Sequence, residues 1–134
     1  MGHSKLEYYL HLVWSTYQRE PLLVGDTEVL IYACIRAEAR RMNCAVLALG
    51  GLAGHVHLAV EPSAMLGPGQ VAKQIKGASS RFANDKGIAF KWQSGYGGFS
   101  LSRPHLKAVI PYVQNQQHRH TDGDIWLDWE PPDD

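Results

Sequence analysis

The clearest indication of the fold is the segment Gly54-His55-Val56-His57-Leu58-Ala59-Val60. Side chains alternate between the two faces of a β-strand, so His55 and His57 share one face while Val56 points into a core. The apolar run begins after a glycine and therefore predicts a strand entered through a tight turn. Two imidazoles about 7 Å apart on one strand face are able to share a divalent cation. The same pattern also suits two polar residues on the open face of a half-buried strand.

The neighbouring segments predict the order of elements around this strand. We expect further strands at residues 8–15, 45–50, 90–92 and 99–101, and helices at 26–43, 70–85 and 102–120. Pro111 removes one backbone donor from the last helix and is expected to kink or restart it. The order strand, helix, strand, strand, helix, strand predicts the α+β class, with a ferredoxin-like split βαβ arrangement and an antiparallel sheet. The final helix is an addition to that pattern.

The last helix carries a second polar group at helical spacing. Tyr112 and Gln116 are four residues apart, and His120 follows one turn later on the same face. A tyrosine at such a position is also a common packing residue. If this helix lies against the face that carries His55 and His57, Tyr112 reaches the two histidines.

Length and hydropathy limit the class of protein. The chain has 134 residues, enough for one hydrophobic core, so we expect one domain over 1–134 with an acidic tail at 121–134. It has no apolar run long enough to cross a bilayer and no signal-peptide pattern at its start, which predicts a cytoplasmic protein without a membrane partner.

The charge is unevenly distributed although the formal net charge is zero. Seven basic residues and one acidic residue lie between Leu66 and Lys107, whereas the tail carries six acidic residues and no lysine or arginine. This distribution leaves a positive face for phosphates. A solvated helix face with a solubilising tail would have the same composition.

Four blocks of residues, in order along the chain, carry a resemblance to a known family. They are His11-Leu12-Val13-Trp14-Ser15-Thr16 with Arg19, then Gly54-His55-Val56-His57-Leu58, then Ile75-Lys76-Gly77-Ala78-Ser79-Ser80-Arg81-Phe82, and finally Trp92-Gln93-Ser94-Gly95-Tyr96-Gly97-Gly98-Phe99-Ser100 continuing to Tyr112-Val113-Gln114-Asn115-Gln116. On these blocks the chain resembles the one-tyrosine HUH transposases of the smallest insertion sequences, including relatives associated with repeated extragenic palindromes. The resemblance spans roughly residues 8 to 120.

The resemblance implies a function and a set of site residues. Members cut and rejoin single-stranded DNA at hairpin-marked ends through a 5′-phosphotyrosine, with Tyr112 as the nucleophile. His55, His57 and Gln116 would be ligands of Mg²⁺ or Mn²⁺, a donor set of two nitrogens and one oxygen that suits Mn²⁺ well. His120 matches an accessory histidine of the family, although an exposed helical histidine is the interpretation we favour. Many members have aspartate before the first histidine, where this chain has Gly54.

The resemblance also implies partners. The expected partners are single-stranded DNA with hairpins and a second copy of the chain in a homodimer. Residues expected to contact DNA are Lys73, Lys76, Ser79 and Arg81 on one helix, Arg19 near the first strand, and Trp92 and Tyr96, whose rings would stack on unpaired bases. Core packing is the alternative for the two aromatic residues, above all for Trp92.

Two other functions remain compatible with the sequence. One is a domesticated or inactive relative that binds hairpin DNA without transposition. The other is a ferredoxin-like nucleic-acid-binding module in which the histidines are incidental. Formation of a covalent protein–DNA adduct in Mn²⁺ separates these two from an active transposase.

Overall fold

The computed structural model describes residues 8–63 and 66–116. This part of the chain contains four strands: β1 (Tyr9–Ser15), β2 (Cys44–Leu52), β3 (His55–Pro62) and β4 (Gly97–Leu101). Three α-helices accompany them: α1 (Gly25–Arg41), α2 (Pro68–Asp85) and α3 (Arg103–Gln114). A short 3-10 turn over Tyr17–Arg19 follows β1.

The strands form one antiparallel sheet in the order β2-β3-β1-β4. β1 and β3 are the two central strands, and β2 and β3 form the hairpin that the glycine turn predicts. This confirms the predicted α+β fold of the ferredoxin-like split βαβ type with an added C-terminal helix.

Alternation along β1 and β3 sorts their side chains between two layers. Leu10, Leu12 and Trp14 join Val56 and Leu58 in the main hydrophobic cluster, which α1 and α2 cover. The opposite face carries the residues between them, and α3 packs there against β2 and β3 through a smaller cluster formed by Ala48, Ala59, Val109 and Val113. α3 therefore lies against the face that carries His55 and His57, which is the position that Tyr112 needs to reach the two histidines.

Two predicted elements differ from the structure. Residues 90–92 do not form a strand; Trp92 makes a single bridge to Thr16, and Phe90 and Trp92 are buried in the main cluster. Their apolar alternation is thus satisfied by packing rather than by a ladder of hydrogen bonds. The last predicted helix is interrupted: α3 includes Pro111 and ends at Gln114, and a turn follows at Asn115. Residues 117–120 of the predicted range lie outside the described residues.

The helices give no sign of a membrane-spanning segment. No helix within residues 8–63 and 66–116 is long and apolar enough to cross a bilayer. The predicted acidic tail at 121–134 lies outside the described residues.

Candidate active site

The site lies on the α3 side of the sheet and is built from the two central strands. β3 contributes His55 and His57, and β1 contributes His11. All three imidazoles are buried, His11 and His57 completely. Because each histidine lies in a hydrogen-bonded strand, its backbone is held in place. The three rings therefore have fixed relative positions.

Ring nitrogens of these histidines make two defined contacts. Nε2 of His11 lies 2.9 Å from Nδ1 of His57. Nε2 of His55 lies 3.2 Å from Oε1 of Gln116. The centroids of the His55 and His57 rings are 5.1 Å apart, so the pair predicted from the His-x-His pattern converges in space.

Tyr112 reaches this group from α3. Its ring centroid is 5.5 Å from that of His57 and 6.4 Å from that of His11, in edge-to-face orientations. The Gln116 amide donates from Nε2 to the carbonyl oxygen of Tyr112 over 2.8 Å, which orients Oε1 toward His55. The structure therefore brings together His55, His57, Tyr112 and Gln116, although they come from distant parts of the chain.

Gly50 allows α3 to come this close to the sheet. It pairs with His57 across the β2–β3 hairpin, and a Cβ atom at this position would collide with the carbonyl oxygen of Val113. A side chain at position 50 would force α3 away from the sheet, because the obstacle is backbone rather than a flexible side chain. The glycine thus positions the residues of α3 over the histidines.

The donor set consists of imidazoles and one amide. Within residues 8–63 and 66–116, no group of three His, Cys, Asp or Glu side chains is arranged to hold a metal ion. His55 and His57 would need a donor of another type, and Gln116 supplies an amide oxygen at 3.2 Å from one of them.

A second group of predicted residues lies around the start of α2. Lys73, Lys76 and Tyr96 line an open cavity of about 360 Å³ together with Gly69, Ala72 and Gly95. Tyr96 is 39% exposed, and Lys73 is exposed. The Lys76 ammonium donates to the carbonyl oxygens of Gln93 (2.7 Å) and Gly95 (2.8 Å), so it holds the bend before β4 in place, a role that the sequence did not indicate.

Two of the residues predicted to contact DNA are buried in the core instead. Ser79 is fully buried, and its hydroxyl donates to the carbonyl oxygen of Ile75 and accepts from Nε1 of Trp92 at 2.9 Å. Trp92 packs edge-on against Trp14 and Phe90. Neither side chain presents a surface to DNA, and the packing alternative for Trp92 describes its position correctly.

Arg81, Arg19 and His120 are the remaining predicted residues. Arg81 is exposed and lies near Glu38 of α1, whose carboxyl pKa it helps to lower. Arg19 is exposed in the 3-10 turn, where its carbonyl oxygen approaches Gly54. His120 lies outside the described residues.

Known proteins resemble this chain in both sequence and fold. The sequence model of the IS200-like transposases matches residues 4–116. A crystal structure of a "putative transposase" from Deinococcus radiodurans R1 has a TM-score of 0.65 and 22% identity, over 90% of this chain and 95% of that one. A REP-associated tyrosine transposase bound to a REP hairpin has a TM-score of 0.66 and 13% identity, over 90% of this chain and 74% of that one.

At these identities the two structures bear on the fold alone. A comparison with curated protein sequences gave no match. The match to the family, by contrast, covers most of the chain, including His55, His57, Tyr112 and Gln116. The chain belongs to the family of IS200-like transposases.

Proposed function

We propose that this transposase is an active, divalent-metal-dependent enzyme that cuts and rejoins single-stranded DNA at hairpin-marked ends through a 5′-phosphotyrosine at Tyr112. The observation that carries the proposal is the convergence on one face of the sheet: the Tyr112 ring lies 5.5 Å from His57, and Gln116 Oε1 lies 3.2 Å from His55 Nε2. A phenol beside imidazole and amide donors is the set that tyrosine-mediated phosphodiester cleavage needs.

The residues present fit a divalent cation. Two donors at right angles around a cation with bonds of about 2.1 Å lie about 3 Å apart, close to the separation of His55 Nε2 and Gln116 Oε1. His57 would be the third ligand. Imidazole nitrogens favour Mn²⁺ over Mg²⁺, and the amide oxygen suits both. When bound, the cation would stabilise negative charge on the non-bridging oxygens of the scissile phosphate.

In the covalent step, one bond to phosphorus forms and another breaks. The phenol oxygen of Tyr112 attacks phosphorus, and the bond from phosphorus to the 3′ oxygen breaks. The proton lost by the phenol balances the proton taken up by the departing 3′ oxygen. The products are a 5′-phosphotyrosine and a free 3′-hydroxyl, and attack by the 3′-hydroxyl of another strand reverses the step and joins DNA without ATP.

Access to Tyr112 requires movement. The side chain is 0% exposed, so a phosphate cannot reach its oxygen while α3 rests on the sheet as described. Because α3 packs on this face through the smaller cluster with Ala48 and Ala59, it has less buried apolar contact to lose than α1 or α2. We expect α3 to separate from β2 and β3 when DNA binds.

DNA would approach from the start of α2. Lys73 offers a phosphate contact and Tyr96 an exposed ring for an unpaired base, and both residues line the same cavity. Arg19 and Arg81 are exposed and do not line this cavity, so they would contact flanking parts of a hairpin. The REP-associated relative is bound to a REP hairpin, which supports a hairpin as the partner of this chain.

We also propose that the chain acts as a homodimer, as the family resemblance implies. A dimer permits Tyr112 of one subunit to serve the histidines of the other once α3 has moved. Sedimentation equilibrium should give a mass of two chains. A mass of one chain across micromolar concentrations would contradict this part of the proposal.

The test uses an oligonucleotide that carries a hairpin, with Mn²⁺, and denaturing gels that retain covalent protein–DNA adducts. The wild-type chain should form an adduct, and Tyr112→Phe should abolish it while DNA binding persists. Tyr32→Phe is the matched control, because it removes a phenol hydroxyl from α1, on the opposite side of the sheet.

Two results would contradict the proposal. An adduct formed by Tyr112→Phe would show that another residue is the nucleophile. A wild-type chain that binds hairpins but forms no adduct would favour the alternative of a binding protein without cleavage activity.

A further inference from the structure

His11 occupies a position that the proposed ligand set does not use. It lies in the middle of β1, a central strand, opposite Ala59 of β3 and Phe99 of β4. Its side chain is fully buried on the α3 side of the sheet. An imidazole buried at the centre of a sheet costs free energy unless its nitrogens are engaged, whereas an aliphatic side chain at this position would not.

The contact of His11 with His57 distinguishes the two nitrogens of His57. Nε2 of His11 lies 2.9 Å from Nδ1 of His57, and the rings are stacked at 5.2 Å with 28° between their planes. Because this hydrogen bond engages Nδ1, a cation bound by His57 would be held at Nε2. Phe99 packs on the His11 ring at 5.6 Å and restricts its rotation.

We propose that His11 is a positioning residue that holds His57 in the tautomer with its proton on Nδ1. Nδ1–H of His57 then donates to Nε2 of His11, which carries its own proton on Nδ1. The lone pair of His57 Nε2 is thereby directed to the cation. In a metal-binding histidine, the N–H of the second ring nitrogen usually donates a hydrogen bond to a carboxylate, a carbonyl or water. Here the acceptor is a neutral imidazole.

This inference rests on the proposed metal site, and His11 itself touches neither cation nor substrate in it.

The first experiment measures the Mn²⁺ dissociation constant of the full chain by electron paramagnetic resonance of free Mn²⁺. His11→Phe keeps a flat ring but removes the acceptor, and it should weaken binding about 10- to 100-fold. His11→Gln places an amide oxygen near the former Nε2 and should keep the constant within about threefold of the wild type. His57→Ala reports on the metal site itself.

The variants separate the two proposals. Unchanged Mn²⁺ binding in His57→Ala would refute the metal role of His57 and with it the present inference. Loss of binding in His57→Ala together with wild-type binding in His11→Phe would overturn the role of His11 alone. Equal weakening in the Phe and Gln variants would also overturn it, because packing rather than a hydrogen-bond acceptor would then be responsible.

A second measurement needs no variant and so does not depend on the folding of His11→Phe. Long-range proton–nitrogen NMR spectra of the metal-free chain identify the protonated nitrogen of each ring. We expect the proton on Nδ1 in both His11 and His57. A proton on Nε2 of His57 would overturn the proposal.

Discussion

The two faces of the sheet are made by the same strands yet carry different chemistry. Toward α1 and α2, β1 and β3 present large apolar side chains such as Trp14 and Leu58, which belong to the larger cluster. Toward α3 they present His11 and His57, and the apolar contacts there are small. One face therefore supplies most of the burial that stabilises the fold, while the other holds the groups to which we assign the proposed chemistry.

This difference means that stability and activity should be separable by substitutions on adjacent residues of β3. Burial of apolar area is non-directional, so the stability that the apolar face provides depends on the size of its side chains. The activity expected of the polar face depends on which ring nitrogen contacts which acceptor. Small displacements of α3 would disturb these contacts. The following variants test that separation, in order of the effect expected.

His57→Ala should produce the largest change, on the polar face. We expect adduct formation to fall about a thousandfold, because several kcal/mol of charge stabilisation is lost with the ligand. Gel-based adduct rates in Mn²⁺ provide the measurement. The matched control is His105→Ala, an exposed histidine at the start of α3 that bonds Ser102. Similar losses in both variants would contradict a specific role for His57.

Leu58→Ala changes the next residue, on the apolar face. Leu58 is fully buried in the larger cluster, and truncation should lower the free energy of unfolding by about 2–5 kcal/mol. Urea denaturation measures this cost, and the adduct rate per folded molecule should stay near the wild-type value. A cost below about 1 kcal/mol would show that this face is not the main source of stability.

Gly50→Ala tests the close approach of α3. The added Cβ would meet the carbonyl of Val113, so α3 must shift, with a cost of about 1–3 kcal/mol and a lower adduct rate. Gly77→Ala on α2 is the control, because a Cβ there meets nothing within 4 Å. That variant should stabilise the helix by up to about 1 kcal/mol. If Gly50→Ala and Gly77→Ala had equal effects in the denaturation and adduct assays, the tight contact of α3 with the sheet would be contradicted.

Glu38→Gln tests a polar contact between α1 and α2, and its effect should be the smallest. The hydrogen bond from Arg41 holds the pKa of Glu38 below its usual value, and Gln74 adds another. The carboxylate therefore stabilises the fold above the unfolded pKa of about 4.3, and the contribution disappears as pH falls through the folded pKa.

At pH 7 the loss in Glu38→Gln should be below about 1 kcal/mol. The gap between the denaturation curves of variant and wild type should close on acidification below about pH 4. A gap that widens in acid would contradict the assigned direction of the pKa shift.

The sequence predicted most of the fold because its alternation is strong. In β3, His55, Val56 and His57 already show which residues share a face. The same kind of alternation gave the wrong prediction of a strand at residues 90–92. Apolar alternation does not distinguish a strand from an irregular segment packed into the core. Tyr112 and Gln116 were found from helical spacing together with the family resemblance.

The parts that sequence reasoning missed depend on register and tertiary contact. Because His11 lies between Leu10 and Leu12, the sequence indicates that its side chain is on the opposite face of β1 from theirs. Its diagonal position relative to His57 depends instead on the register that pairs His11 with Ala59. Likewise, no local pattern shows that Lys76 bonds the carbonyls of residues 93 and 95 or that Ser79 accepts from Trp92.

Peptide mapping of the trapped adduct shows whether the oxygen of Tyr112 forms the bond to DNA. Trypsin should release residues 108–119, in which Tyr112 is the only tyrosine, whereas Tyr96 falls on a different peptide. After nuclease trimming, mass spectrometry should find the nucleotide mass on the peptide with Tyr112. The same mass on the peptide with Tyr96, or on any peptide without Tyr112, would contradict the account.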